Sequence, residues 1–325
     1  MTSAGAGSRA LTVWQVDESE AGKRLDKFLV DHIPELGRRG VKRLLAAGRV
    51  QVNGRASEKS RVLTLGAQVS VRLEQPEMQP DPLAPLSVLL ERPDFLVLNK
   101  PAGQASVPRH SGETGTLAQA LAARFPECRG LGGSWDGGLI HRLDTYTSGV
   151  LVAARNAESW QGLRGILTQG KLIKRYLAMV QGCVPGPGSV ERALGPSSRS
   201  GRRVEVKSEA SPLPTRKTDY TVLGVRNGHS LLEVEVSRAY RHQIRAHLAS
   251  IGYPIVGDRV YGSGVHPALG ERHALHASYA AFGGDTRILA FEARAELPPE
   301  LVAFWDGLSS ATSDSRVNST SSKIS

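Results

Sequence analysis

The chain has 325 residues, 40% of them hydrophobic, which is enough for one large folded domain and a small one. A formal net charge of +10 and a pI near 9.8 favour a polyanionic partner, although a basic protein with no such partner can have the same composition. The two cysteines, Cys128 and Cys183, lack the spacing of a disulfide framework or a zinc motif, and no apolar run approaches the roughly 20 residues of a membrane span. Because the first nine residues have no apolar core of signal-peptide length, we expect a cytoplasmic protein without membrane contact.

After an N-terminal arm, residues 1–20, the chain enters a small basic region, residues 21–75, with twelve basic and five acidic residues. Apolar residues at helical spacing predict two short amphipathic helices in this region, around Leu25, Phe28 and Leu29 and around Val41, Leu44 and Leu45. The second helix carries its basic side chains away from the apolar stripe: Arg38, Arg39, Lys42 and Arg43. Such a face suits RNA phosphates, and the alternative is a solvated helix pair without a ligand.

Alternating segments at 50–54 and 67–71 predict short strands, and Asn53-Gly54 predicts a tight turn. The proline-rich residues 76–86 cannot form a helix or a central strand, so they predict a semi-rigid linker to a larger domain, residues 87–308. The tail, residues 309–325, is rich in serine and is expected to be disordered.

In the larger domain, residues 87–91, 95–98, 176–180 and 232–236 predict strands, and residues 157–168 predict a helix ending at Gly170. Several short strands with few helices indicate an α+β fold with a mixed, mainly antiparallel sheet. The basic segment 198–217 is interpreted either as a mobile loop that follows RNA backbone or as a solvated connector.

The segment His141-Arg142-Leu143-Asp144 runs into Thr145-Tyr146-Thr147-Ser148-Gly149 and places one carboxylate beside a guanidinium in a loop. The apolar residues 150–154 that follow predict a buried strand, which would anchor this loop to a rigid element. Asp144 is therefore a candidate nucleophile.

HRLDTYTSG resembles the signature of RluA-type RNA pseudouridine synthases. Further blocks that resemble the family occur in the same chain order: residues 99–103, 174–178, 242–247, 252–258 and 275–277. The resemblance spans about residues 85–308 and implies a pseudouridine synthase catalytic fold, with the active cleft across the middle of a long sheet. Residues 21–75, with two helices followed by a small sheet, resemble the RNA-binding domain named after ribosomal protein S-four.

The resemblance implies that Asp144 is the catalytic carboxylate, kept ionised by Arg245, and that Arg142 assists base flipping. Tyr176 is expected to stack on the flipped base and to take part in proton transfer, although a core tyrosine on a strand is the alternative. Isomerisation of uridine involves no net redox change or hydrolysis, so no cofactor is expected. Attack on the sugar and addition to the base both remain open.

The chain departs from the family pattern before His242, where Arg238-Ala239-Tyr240-Arg241 replaces the usual Thr-Gly-Arg-Thr. Loss of the glycine indicates either a backbone without positive φ or a rebuilt turn, and the arginine contacts can pass to Arg238 or Arg241.

No metal site is expected, because His141, His242, His247 and His276 lack ligand spacing and are interpreted as hydrogen-bonding structural residues. The sequence thus predicts a monomeric RNA pseudouridine synthase that acts on structured RNA, with large-subunit ribosomal RNA as the implied substrate and transfer RNA as the alternative. The rival functions are a ribosome-assembly factor with a vestigial site and a carboxylate-dependent hydrolase such as a nucleosidase.

Overall fold

The computed structural model describes residues 10–57, 61–73, 78–110, 112–197, 203–262 and 264–308. Two compact units make up the chain, residues 1–76 and residues 77–325. Each unit has its own sheet and its own apolar core.

The first unit is a four-stranded antiparallel sheet with two helices. Its elements are β1 (Ala10–Gln15), α1 (Leu25–His32), α2 (Gly37–Ala46), β2 (Val50–Val52), β3 (Arg55–Ala56) and β4 (Gln68–Leu73). The strand order is β1-β4-β2-β3. The two predicted helices and the β2 and β4 strands are present, and Asn53 and Gly54 both have positive φ, as a tight hairpin turn requires.

The core of this unit joins the apolar faces that the sequence periodicity predicts. Leu25, Phe28 and Leu29 of α1 pack with Val41 of α2 and with the inward side chains of the sheet. Strand β1 was not predicted: it lies within residues 1–20, which the sequence assigned to an arm, and it pairs with β4 from Ala10 to Gln15. The sheet therefore begins eleven residues before the start of the predicted basic region, residues 21–75.

In its described residues, the second unit is built on a large sheet with four α-helices. Its first elements are β5 (Val88–Glu91), β6 (Phe95–Lys100), α3 (Leu117–Arg124), β7 (Ser148–Ala154), α4 (Ala157–Gln169), β8 (Ile173–Gln181) and β9 (Gly188–Pro196). The remaining elements are β10 (Val204–Val206), β11 (Thr215–Arg226), β12 (His229–Glu235), α5 (Gln243–Ser250), β13 (Leu275–Phe282), β14 (Phe291–Arg294) and α6 (Pro299–Gly307).

The strand order of the ten-stranded sheet is β10-β9-β11-β12-β8-β13-β7-β6-β5, with β14 paired to β13. Strands β13 and β7 run parallel, and the other neighbouring pairs in the described residues are antiparallel. The α+β prediction with a mixed, mainly antiparallel sheet is confirmed.

Helices cover both faces of this sheet. Alternate residues of β6 point to opposite sides: Leu96 and Leu98 join a core with α3, α5 and α6, whereas Phe95 and Val97 join a core with α4. Strand β7 is buried at every residue, as the apolar run predicted. The catalytic candidate Asp144 lies directly before this strand, so its loop is anchored to the middle of a two-sided core.

Two segments differ from the sequence interpretation. In the predicted linker, residues 76 and 77 lie outside the described residues, but Met78 is buried in the core of the second unit, and Asp81 accepts a hydrogen bond from the Gly115 amide at 2.9 Å. This part of the linker is docked on the second unit, although it contains no helix or strand. In the basic segment 198–217, residues 203–217 contain β10 and the start of β11 rather than an irregular loop, and residues 198–202 lie outside the description.

The predicted disordered tail, residues 309–325, also lies outside the described residues. In the described part of the chain, no helix is both long enough and apolar enough to cross a bilayer.

Candidate active site

The loop that carries Asp144 is held against β13 by a glycine. Gly149 has φ +112°, and a Cβ atom at this position would lie 2.1 Å from the Ala277 carbonyl oxygen. Only glycine permits this close approach of the β7 and β13 backbones. The Thr147 hydroxyl contacts His273 Nε2 at 2.8 Å and the Ser148 hydroxyl contacts His276 Nδ1 at 2.9 Å, so the residues after Asp144 are also pinned through their side chains.

A buried lysine holds the other side of the same loop. The Lys100 ammonium is fully buried and donates to three carbonyl oxygens: Pro101 at 2.8 Å, Gln104 at 2.7 Å and Thr145 at 3.0 Å. Burial lowers the pKa of Lys100 to about 7, although the negative charge of Asp144 opposes this shift. Lys100 belongs to the segment 99–103, one of the blocks that resemble the family, and it ties this segment to the residue after Asp144.

Arg245 lies between two carboxylates and pairs with both. Its Nε and Nη2 atoms donate to the two oxygens of Asp258 at 2.6 and 2.8 Å, and its Nη1 donates to Asp144 Oδ2 at 2.7 Å. The guanidinium is almost completely buried, and α5 projects it into the core of the second unit. The side-on pairing with Asp258 fixes the plane of the guanidinium, which leaves Nη1 aimed at Asp144.

Asp144 is ionised and partly accessible. Burial alone raises the pKa of its carboxyl, but the positive charge that His242 carries at acidic pH, the positive charge of Arg245 and the hydrogen bond from Arg245 hold that pKa below its ordinary value. The side chain keeps 25% of its surface exposed, whereas Asp258 keeps none. A substrate atom can therefore reach an anionic oxygen that the protein does not fully cover.

His242 approaches the other oxygen of Asp144. Its Nε2 atom lies 3.7 Å from Asp144 Oδ1, and its Nδ1 atom lies 3.1 Å from the Tyr261 hydroxyl. Burial lowers the pKa of this imidazole below its usual value, so the ring is neutral near pH 7 and Arg245 is the cation that balances Asp144. Interpreted from sequence as a structural histidine, His242 lies at the site itself.

Tyr176 is brought close to Asp144 and is buried on β8. Burial raises the pKa of its phenol, and the negative charge of Asp144 raises it further, so the hydroxyl stays protonated. Arg142 lies in the same loop as Asp144 but is exposed, and its charge acts on Asp136, lowering a pKa that burial raises. The three residues proposed for chemistry thus meet, while Arg142 and Arg241 stand at the surface beside them.

Residues 238–241 form the turn before α5. Ala239 is absent from the described residues with positive φ, so the backbone at the position of the family glycine needs no positive φ, and the left-handed position of the turn is His242 with φ +57°. The buried Gln243 amide closes the turn: its Oε1 accepts from the Tyr240 amide at 2.9 Å, and its Nε2 donates to the Lys217 carbonyl at 2.8 Å. The turn is therefore fastened to β11.

In the first unit, α2 presents the predicted basic residues along one helix. Arg38 and Lys42 are exposed, and the side chains of Arg39 and Arg43 lie outside what the structure describes. In the described residues, no group of three or more His, Cys, Asp or Glu side chains has the arrangement of a metal site.

Sequence reasoning assigned no role to Asp258 and Lys100. Asp258 follows Gly257, whose φ is +77° and whose Cβ would lie 2.5 Å from the Arg272 carbonyl oxygen. A glycine with so little space for a side chain indicates a buried turn, and Asp258 lies next to it. The sequence does not show that Asp258 pairs with Arg245, because no motif links the two residues. The fold of the helix–loop segment brings them together.

The chain is similar to several known proteins. A family model described as RNA pseudouridylate synthase matches residues 94–250. An uncharacterised RNA pseudouridine synthase of Chloroflexus aurantiacus is 36% identical over 273 residues, which is 81% of this chain and 83% of the relative. The ribosomal large subunit pseudouridine synthase D of Xylella fastidiosa is 31% identical over 301 residues, covering 88% of this chain and 89% of its own.

Among solved structures, human RNA pseudouridylate synthase domain containing 1 matches with a TM-score of 0.52 and 26% identity, over 73% of this chain and 99% of its own. This chain therefore shares its fold with that human protein over 73% of its length. The chain belongs to the RNA pseudouridine synthase family.

Proposed function

We propose that this protein is an RluA-type pseudouridine synthase that isomerises uridines in large-subunit ribosomal RNA, with Asp144 as its catalytic carboxylate. The observation that carries the proposal is the state of Asp144: an ionised carboxylate with one oxygen held by a buried arginine and a quarter of its surface open.

The reaction breaks the bond between N1 of uracil and C1′ of ribose and forms a bond between C5 and C1′. The hydrogen at C5 leaves as a proton and N1 gains one, so atoms and electrons balance without a cofactor. Asp144 either attacks C1′ or adds to the pyrimidine ring, and in both routes it acts as an oxygen nucleophile. Arg245 keeps this nucleophile anionic, because its guanidinium is a permanent cation whose position is fixed by Asp258.

Tyr176 and Arg142 are proposed to handle the flipped base. A buried phenol that stays protonated beside Asp144 can stack on uracil, and its hydroxyl can relay the C5 proton by donating its own proton as it accepts that one. A target base must leave its stack, at a cost of about a few kcal/mol, and the exposed guanidinium of Arg142 can fill the vacated space or hold the flanking phosphate. Arg241, exposed at the start of α5, is a further phosphate contact.

The first unit is proposed to be an S-four-like RNA-binding domain. Two helices on a small antiparallel sheet, with exposed Arg38 and Lys42 on α2, support this assignment. Arg39 and Arg43 extend the same face in the sequence. This domain would supply affinity for structured RNA, while the second unit supplies the chemistry.

Ribosomal large-subunit RNA is proposed as the substrate because the relatives from Xylella fastidiosa and Yersinia pestis, whose names state that substrate, align along about nine tenths of this chain. The test is pseudouridine mapping of ribosomal and transfer RNA from cells that carry wild-type protein or the Asp144→Asn variant. Loss of specific sites in large-subunit RNA is the expected result. Loss of pseudouridine sites only in transfer RNA would show that transfer RNA is the substrate. Identical maps would overturn the proposed activity.

A further inference from the structure

Tyr261 lies at the junction of β10, α5 and the catalytic carboxylate. Its hydroxyl accepts a hydrogen bond from the Val204 amide at 2.8 Å and lies 3.1 Å from His242 Nδ1. The guanidinium groups of Arg203 and Arg245 lie over its ring, 5.1 and 5.3 Å from the centroid. Four neighbours thus fix one half-buried phenol that does not itself contact Asp144 by any described hydrogen bond.

The hydrogen bonds of this phenol limit the protonation of His242. A tyrosine hydroxyl has one hydrogen to donate, and the Val204 amide uses one of its acceptor sites without using that hydrogen. If the hydroxyl donates to Nδ1, the neutral imidazole carries its hydrogen on Nε2, which faces Asp144 Oδ1 at 3.7 Å. The opposite arrangement would direct an Nε2 lone pair at a carboxylate oxygen, and like partial charges at this distance repel.

We infer that Tyr261 is a positioning residue for catalysis: its hydroxyl holds His242 in the Nε2–H tautomer, which gives Asp144 a second donor on the oxygen that Arg245 leaves open. Arg245 then orients Oδ2 and His242 orients Oδ1. The 3.7 Å separation is too long for a hydrogen bond, and a movement of about 1 Å completes it when substrate covers the site.

The same contacts connect residues 203–217 of the basic segment to Asp144 through Tyr261 and His242. Arg203 and Val204 belong to this segment, and both contact Tyr261 rather than Asp144. Correct docking of β10 is therefore a condition for the His242 tautomer. This adds a role in the site to a segment that the sequence interpreted only as an RNA-following loop or a connector.

The first test needs no reaction and no variant of Tyr261. Long-range ¹H–¹⁵N correlation spectra of ¹⁵N-histidine-labelled protein distinguish a protonated ring nitrogen from a bare one, and the His242→Asn variant assigns the signal. Asparagine suits this position because it tolerates the left-handed backbone of His242. Protonated Nε2 with bare Nδ1 is expected, whereas protonated Nδ1 with bare Nε2 would overturn the inference.

The second test uses Tyr261→Phe, which keeps the ring between the two arginines and removes the hydroxyl. With enzyme in excess over unmodified large-subunit RNA, we expect the single-turnover rate to fall by about fivefold to tenfold, the effect of one ordinary hydrogen bond, with RNA affinity changed less than about twofold. Tyr279→Phe is the matched control, because its ring also lies against two arginines, Arg175 and Arg294.

A double variant decides whether Tyr261 acts through His242. If it does, Tyr261→Phe combined with His242→Asn is no slower than His242→Asn alone. Losses that multiply would contradict the inference, as would an unchanged rate in Tyr261→Phe. The rate test rests on the proposed function: absence of pseudouridine with wild-type protein would defeat that function, while the tautomer measurement would still decide the state of His242.

Discussion

The two carboxylates that share Arg245 differ in how completely the protein satisfies them. Asp258 is fully buried, pairs with Arg245 through both oxygens and accepts further hydrogen bonds from the Val260 and Tyr261 amides at 2.8 and 3.1 Å. Asp144 has one close donor, on Oδ2, and retains a quarter of its surface. Both oxygens of Asp258 therefore accept hydrogen bonds. In the described residues, Oδ1 of Asp144 has no donor within hydrogen-bond distance.

This difference gives the two carboxylates around Arg245 separate roles: Asp258 supports the guanidinium, and Asp144 is the proposed reactive group. A carboxylate with four donors is a poor nucleophile, because each bond must be weakened before an oxygen can attack. A carboxylate with one strong donor stays ionised yet keeps an oxygen available. The comparison predicts that equivalent Asp→Asn changes at the two positions have opposite signatures: loss of rate at Asp144 and loss of stability at Asp258.

The largest effect is expected from Asp144→Asn. The amide cannot act as an anionic nucleophile, so the single-turnover rate should fall by at least about a thousandfold. Affinity for RNA should stay within about threefold, because one neutralised carboxylate does not weaken phosphate contacts. Stability should change by less than about 1 kcal/mol, since the side chain is partly solvated and Asp258 still pairs with Arg245. Filter binding and chemical denaturation check these values, and a large loss of affinity would count against the assignment.

Asp258→Asn should mainly destabilise the protein. The substitution removes the fully buried partner of a nearly buried guanidinium, which typically costs about 3–5 kcal/mol. Urea denaturation monitored by tryptophan fluorescence measures the change in unfolding free energy. An unchanged unfolding midpoint would show that Asp144 alone can balance Arg245, and the proposed division of roles would be wrong.

Lys100→Met tests how far the buried lysine on the other side of the Asp144 loop supports that loop. Three carbonyl oxygens lose their donor, and we expect the single-turnover rate to fall by about tenfold as the loop loosens. The folded-state pKa of Lys100 is about 7 and its ordinary value is 10.5, so over this interval the unfolded chain binds more protons. The stability of wild type relative to Lys100→Met should therefore rise with pH from about 7 toward 10.

Denaturation of the two proteins side by side across this pH range isolates the lysine, because the titrations of all other groups cancel in the difference. A difference that stays flat with pH would mean that Lys100 keeps an ordinary pKa in the folded state.

The smallest effect is expected from the first unit, far from the chemistry in sequence. Arg38→Gln with Lys42→Gln should weaken RNA binding and reduce the slope of log affinity against log salt by up to about two, without changing the rate at saturating enzyme. Lys23→Gln with Arg24→Gln is the matched control: it removes two charges from the same unit, but these side chains pair with Asp31 and Asp26. Equal effects in both variants would indicate general electrostatics rather than a phosphate-binding face.

Short-range patterns predicted most of the elements that surround the site. The buried run 150–154, the helix that ends at Gly170 and the alternating strand at 232–236 are each decided by local periodicity or by one capping residue, and the structure contains all three. The family motifs located Asp144, Tyr176 and Arg245, which the fold brings together. Their catalytic roles remain predictions.

Other features depend on contacts that no local pattern encodes. Strand β1 has ordinary composition and is a strand because β4, more than fifty residues later, provides its partner. The proline-rich segment near Asp81 has the composition of a spacer, but the Asp81 carboxylate accepts a hydrogen bond from the Gly115 amide. His242 has no metal-ligand spacing, and only the fold shows that its ring lies between Tyr261 and Asp144.

The most direct test of the central claim is a single-turnover assay in which wild type, Asp144→Asn and Asp258→Asn are each held in excess over an unmodified large-subunit RNA transcript. Temperature is set where all three proteins are folded by circular dichroism. We expect pseudouridine with wild type, a reduced but measurable amount with Asp258→Asn and none with Asp144→Asn. Pseudouridine formation by Asp144→Asn at a rate close to that of wild type would contradict the central claim.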